Sequence, residues 1–265
     1  GIRNSYWQEL MFGDGFDVVP DPKNPRYGYG MSQQGYVGRY DRQTGNAKGI
    51  QPTHPDPDVK LRFNWNSAIA INPIDQETIY FGSQFVHKST DKGHTWEIIS
   101  PDLTTNDTTR QNSNKSGGLT MDASGAENFT TILAISPSAL DDKVIWVSTD
   151  DGNVHVTRDR GKEWTKLNSR IKGLKNGAWM PQIKASAYNA GEAFLVVNDY
   201  RRDDWTPWLY RTKDYGKTWV RLINEQDVEG YVLSFVQDPE EPNLMFAGTE
   251  FGLYVSFNGG QSWNK

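Results

Sequence analysis

Five carboxylates in turn-like settings, Asp150, Asp151, Asp203, Asp204 and Glu250, are the residues of this chain best suited to chemistry. Two carboxyl groups facing each other across a glycosidic bond can hydrolyse it. Retention needs them about 5 Å apart and inversion about 6.5–9.5 Å apart. Trp65, Trp179 and Trp205 offer flat faces for sugar rings, and Asn64, Gln84, Arg201 and Arg202 offer hydrogen-bond donors. Each has a plainer reading as well. Asp150-Asp-Gly152 is an ordinary hairpin turn, and tryptophan in a β-rich chain commonly packs sheet against sheet. The turns Gly13-Asp-Gly15 and Asp150-Asp-Gly152 could ligate Ca²⁺, a weak signal without a fuller ligand set. His54, His87, His94 and His155 lack metal-ligand spacing, and no phosphate loop, nucleophile elbow or dinucleotide fingerprint occurs. Neither a metal nor a cofactor is therefore expected.

These residues lie far apart in the chain, so a repeated element must bring them together. An octapeptide, Ser-x-Asp-x-Gly-x-Thr-Trp, recurs four times, ending at Trp96, Trp164, Trp219 and Trp263. Its acidic position is Asp91, Asp159, Asp214 and, in the degraded fourth copy, Asn258. A motif returning every few tens of residues marks one supersecondary unit used repeatedly. Between copies runs a second pattern: an apolar strand, a proline turn, an aromatic-rich strand and a polar hairpin. Pro22, Pro73, Pro137 and Pro239 occupy the turn, where a fixed φ fits and no ladder donor is lost. A fifth unit uses Tyr188-Asn-Ala-Gly191 instead. Asp in the octapeptide can accept from its own loop backbone, and the following Gly supplies a positive φ.

Four strands per unit predict an all-β fold, a β-propeller of four-stranded antiparallel blades. Five blades are expected in one segment spanning 1–265, at 14–60, 61–101, 128–170, 178–224 and 229–265. The polar stretch 102–127 forms a long inter-blade loop, a lid, a recognition loop or a disordered segment. The first blade has Arg39-Tyr-Asp41 in place of the octapeptide and no Trp. The chain stops just after Trp263, where a fourth strand should begin. Either Ile2–Leu10 supplies that strand and closes the ring, or the chain belongs to a larger propeller whose other blades lie beyond it. The second alternative is preferred, because the break falls inside a blade and Gly1 is not a natural start.

Composition narrows the partners. The net charge of −5, with no basic run, argues against nucleic acid. No apolar stretch approaches the roughly 20 residues that span a bilayer. Zero cysteines removes disulfides, thiolate metal sites and cysteine nucleophiles together.

The octapeptides resemble the Asp-box, or BNR, repeat of bacterial sialidases, oligoxyloglucan-type glycoside hydrolases and the sortilin ectodomain. Gly13-Asp-Gly-Phe-Asp17, Phe63-Asn-Trp-Asn66, Ile99-Ser-Pro-Asp-Leu103, Thr149-Asp-Asp-Gly-Asn153 and Gly248-Thr-Glu-Phe-Gly252 are similar to large secreted bacterial sortilin-like proteins. This resemblance implies a secreted, periplasmic or cell-surface location and further blades. It places the Asp-box on the third-to-fourth-strand hairpin, opposite the usual active face, and so makes it structural. It also argues against a sialidase, since Arg62-Phe-Asn-Trp65 is the nearest phrase to that family's Phe/Tyr-Arg-Ile-Pro motif and does not match it. The expectations that follow are a module recognising a glycan or peptide on its axial face, an active glycoside hydrolase using paired loop carboxylates, or a purely structural scaffold. A channel plugged by large side chains would favour the last.

Overall fold

The computed structural model describes residues 3–112, 114 and 128–265. Sheet one comprises β1 (Val18–Pro20), β2 (Tyr27–Ser32), β3 (Tyr36–Asp41) and β4 (Asn46–Gly49). Sheet two comprises β5 (Ile69–Ile71), β6 (Ile79–Gly82), β7 (Val86–Ser89) and β8 (Glu97–Ile98). Sheet three comprises β9 (Ile132–Pro137), β10 (Ile145–Thr149), β11 (Val154–Thr157) and β12 (Thr165–Lys166). Sheet four comprises β13 (Trp179–Ala185), β14 (Ala193–Asp199), β15 (Asp204–Thr212) and β16 (Val220–Arg221). Sheet five has β17 (Val232–Gln237), β18 (Met245–Thr249) and β19 (Gly252–Ser256), with Asn264 bridging to Val255 where a fourth strand would lie. Every sheet is an antiparallel meander, so this is the expected propeller. Trp179 opens β13. A register shift between Trp179 and Gln182 admits Pro181 to that innermost edge strand, where a missing donor costs little.

The wholly apolar strands follow from burial on both faces. In β10, Ile145 and Val147 pack toward sheet two while Trp146 packs toward sheet four. In β14, Leu195 and Val197 face sheet three while Phe194 and Val196 face sheet five. Among the described residues four such cores join the five sheets in order. Beyond the last one, sheet five exposes Leu253 (62%), Phe257 (69%) and Val236 (46%). Residues 3–10 hold a 3₁₀ turn at Asn4–Tyr6 and no strand. They run beside sheet one, where Gln8 Nε2 donates to the Arg42 carbonyl at 3.2 Å, so they do not complete sheet five. Asp17, Ala68, Ala134, Gln182 and Ser234 line one central channel of about 490 Å³. Each lies in or beside the innermost strand of a different sheet, and their small or polar side chains leave the axis open.

The octapeptides sit on the third-to-fourth-strand hairpins. Asp91 Oδ1 accepts from the Ser89 hydroxyl and the Thr95 amide, both at 2.8 Å, while Ser89 Oγ accepts from the Gly93 amide at 2.8 Å. Asp159 and Asp214 repeat the pattern. Asn258 repeats it too, its Oδ1 accepting from the Ser256 hydroxyl and the Ser262 amide. A neutral amide therefore fills the role, which requires an acceptor and no acid.

Each copy also clasps the preceding blade. A Cβ on Gly93 would stand 2.6 Å from Ile50, and the Trp96 indole donates to the Ile50 carbonyl at 2.7 Å. Gly161 and Trp164 hold Ile99 in the same way, and Gly260 and Trp263 hold Leu222. Gly216 packs on Leu167, but the Trp219 N–H is buried without a partner. The Leu167 carbonyl already accepts from the Arg170 amide at 2.9 Å, within the 3₁₀ turn Asn168–Arg170. Trp96→Phe should therefore cost about 1–2 kcal/mol more than Trp219→Phe, because only the first breaks a hydrogen bond. Paired urea unfolding curves measure that difference, and equal costs would contradict the clasp.

Candidate functional site

The second-to-third-strand hairpins and the blade entries gather at the end of the propeller opposite the octapeptides. Asp150, at the end of β10, is 0% exposed. Its Oδ1 accepts from the Thr131 amide at 2.8 Å, and its Oδ2 from the Thr131 hydroxyl at 2.5 Å and Asn64 Nδ2 at 3.1 Å. Burial, helped by the charge of Asp151, pushes its pKa up to about 8. Asp151 turns the other way. It accepts from the amide and hydroxyl of Thr105 at 2.6 and 2.7 Å, and from the Thr149 hydroxyl. These bonds pin the start of the long polar segment onto sheet three. Arg62 pins it to sheet two, through Asp102 Oδ2 at 2.7 Å. The rest of that segment, including Glu127 and most of residues 113–127, lies outside the described residues.

Beside Asp150 the surface changes to cations and rings. A cavity of about 50 Å³ is bordered by Arg110, Phe129, Asp150, Trp179, Asp199 and Arg201. The Arg201 guanidinium lies 4.0 Å from the Trp179 ring and 4.5 Å from the Tyr200 ring. Arg202 pairs with Asp199 at 2.7 Å, and Lys175 pairs with Asp204. Tyr200 stacks on Tyr231 with centroids 4.5 Å apart, and Trp205 joins them at 5.7 Å from Tyr231. Trp205 is 51% exposed, so the three rings form an open shelf between sheets four and five.

The residues singled out in the sequence divide into groups. Arg201, Trp179 and Trp205 come together here, with Arg202 at the border. Asn64 and Gln84 are buried and structural in their bonding: Gln84 Oε1 accepts from the Arg62 amide and its Nε2 donates to the Lys60 carbonyl. Trp65 is half-buried in the entry to sheet two. Asp203 is exposed with a φ of 59°, at the tip of the hairpin. Glu250 is exposed, against Gly230. The five candidate carboxylates thus have separate settings, and those with bonded partners share none between them. Asp150 and Asp151, which head the turn considered for Ca²⁺, are already engaged. Among the described residues no group of three His, Asp or Glu side chains is arranged to hold a metal ion.

Tyr231 and Phe129 were not singled out. Both enter from blade starts, and only the aromatic beside the first residue of an innermost strand could have signalled them.

Residues 254–265, the fourth octapeptide with its flanks, match the family described as BNR/Asp-box repeat. The chain is a β-propeller that carries a BNR/Asp-box repeat. The oligoxyloglucan-reducing end-specific xyloglucanase of Emericella nidulans is 31% identical over 112 residues, covering 40% of this chain and 13% of that protein. The GH74 xyloglucanase from Xanthomonas campestris superposes with a TM-score of 0.58 at 16% identity, over 97% of this chain and 46% of that one. The Dos1 propeller superposes with a TM-score of 0.60 at 12% identity, over 94% of this chain and 58% of that one. The chain therefore spans less than half of the Xanthomonas campestris xyloglucanase and shares its propeller fold. Among the described residues no helix is long and apolar enough to cross a membrane.

Proposed function

We propose that this Asp-box propeller is a secreted or cell-surface module that recognises a glycan on the face opposite its octapeptides. The observation that carries the reading is the exposed shelf of Tyr200, Trp205 and Tyr231 beside Arg201. Three rings on rigid strand ends offer stacking area at little entropic cost, which suits the flat C–H faces of sugars better than a flexible peptide. Similarity to proteins named as xyloglucanases supports the same class of ligand.

A second reading, hydrolysis of the bound glycan, draws on Asp150, whose carboxyl stays protonated at neutral pH as a general acid must. Its complete burial weighs against it, because a glycosidic oxygen has no route to a carboxyl sealed by Thr131 and Asn64. Recognition without cleavage is the reading that fits both facts. The bare outer face of sheet five, with Leu253 and Phe257 exposed, belongs with the proposal that a further blade of the same protein packs there.

Trp205→Ala is expected to lower glycan affinity about tenfold, the loss expected from removing one stacking ring. Affinity electrophoresis in polysaccharide gels reads this directly, with the melting temperature unchanged because Trp205 lies outside the sheet cores.

A further inference from the structure

We infer that the glycan recognised on this face is an acidic one, and that a uronate carboxylate pairs with Arg201. This inference rests on the glycan reading above and names its ligand class. Arg201 is unlike the other cations around it. Arg202 is held by Asp199, and Lys175 by Asp204. Arg201 has no carboxylate within ion-pair distance among the described residues, although it borders the same cavity as Asp199 and Asp150. Asp150 is engaged by Thr131 and Asn64 and makes no ion pair with Arg201.

The surroundings make that cation hungry for an anion. Packing beside Trp179 and Tyr200 removes water from the guanidinium, and burial pulls its pKa down from the usual arginine value. A stacked guanidinium keeps its in-plane N–H donors available, and those donors match the two oxygens of a carboxylate. Arg201 is still exposed along one side, so a ligand can reach it. Tyr200 stacks on Tyr231 and follows directly on from Asp199, so the anion site and the ring shelf adjoin. A pyranose stacked on the shelf would carry its C6 carboxylate to the neighbouring guanidinium. A neutral glycan would leave that cation unpaired in a partly dry site, which costs affinity.

Affinity electrophoresis of the whole chain tests this with polygalacturonate, alginate, fully methyl-esterified polygalacturonate and neutral xyloglucan. Retention by at least one of the two uronans is expected. Methyl esterification and Arg201→Gln should each weaken it at least tenfold, and Arg201→Lys should restore part of the loss. Equal retention of the esterified or neutral polymer, or no effect of Arg201→Gln, would overturn the acidic-ligand inference. The glycan reading itself would survive that result if Trp205→Ala still weakened retention about tenfold. Binding of poly-glutamate in preference to every polysaccharide, or no retention by any, would overturn both. Thermal melting of each variant separates loss of binding from loss of folding.

Discussion

Asp150→Ala is expected to destabilise the propeller by about 3–5 kcal/mol, since it strands the Thr131 amide and hydroxyl as buried donors and removes one of the two acceptors of Asn64 Nδ2. Asp150→Asn keeps an acceptor for the Thr131 amide and should cost no more than about 2 kcal/mol. The two variants also differ in their response to pH. The folded chain holds the Asp150 proton up to about pH 8, whereas the unfolded chain releases it near the ordinary carboxylate value of 3.8. The unfolded state therefore binds fewer protons across that window, and stability falls as pH rises through it. His87 and His155 act in the opposite sense. Burial in the blade cores lowers both to about 4 from 6.5, so stability is lost as pH falls from 6.5 toward 4. Two imidazoles outweigh Asp150 below pH 6.5, and above it the imidazoles no longer oppose the carboxyl. Stability should peak near pH 6.5, and Asp150→Asn should abolish the decline from there to pH 8. Urea unfolding at pH 5, 6.5 and 8 measures both effects. A wild-type protein more stable at pH 8 than at 6.5 would contradict this account of Asp150.

Gly216→Ala should cost about 2–4 kcal/mol, the sum of a left-handed backbone penalty and overpacking. Its φ is 77°, and a Cβ there would stand 2.5 Å from Leu167, itself sealed in the core between sheets three and four. Gly49→Ala is the control. Gly49 lies in a strand with nothing within 4 Å of where its Cβ would be, and its replacement should leave the unfolding midpoint unchanged. Equal midpoints for the two variants would mean that the octapeptide does not clasp the preceding blade.

The blades were legible in the sequence because their signals are local. Turn chemistry in Ser-x-Asp-x-Gly-x-Thr-Trp is complete within eight residues, and the alternation in each strand needs no distant partner. What the Trp of that motif grips, in contrast, lies 41–65 residues earlier, at Ile50, Ile99 and Leu222. No window of sequence shows those partners. The register shift that admits Pro181 to β13 likewise depends on pairing with β14.

The site was legible in part, for the same reason. Arg201 and Trp205 stood out because they share one polar hairpin. Tyr231, which completes the shelf, arrives from the next blade. Asp150 and Asp151 are neighbours with the same side chain, and sequence gives no ground for telling them apart. The fold does: one turns inward to Thr131 and Asn64, the other outward to Thr105. Gln84 looked like a ligand-facing amide and instead serves the backbone of Arg62 and Lys60.

The central claim is that the ring shelf at the end opposite the octapeptides is the recognition surface. A panel of polysaccharides in affinity gels, run with the wild-type chain, Trp205→Ala and Trp96→Phe, tests it most directly. Retention by at least one polysaccharide, weakened about tenfold in Trp205→Ala and kept in Trp96→Phe, is the result expected. Retention unchanged in Trp205→Ala, or no retention of the wild-type chain by any polysaccharide, would contradict it.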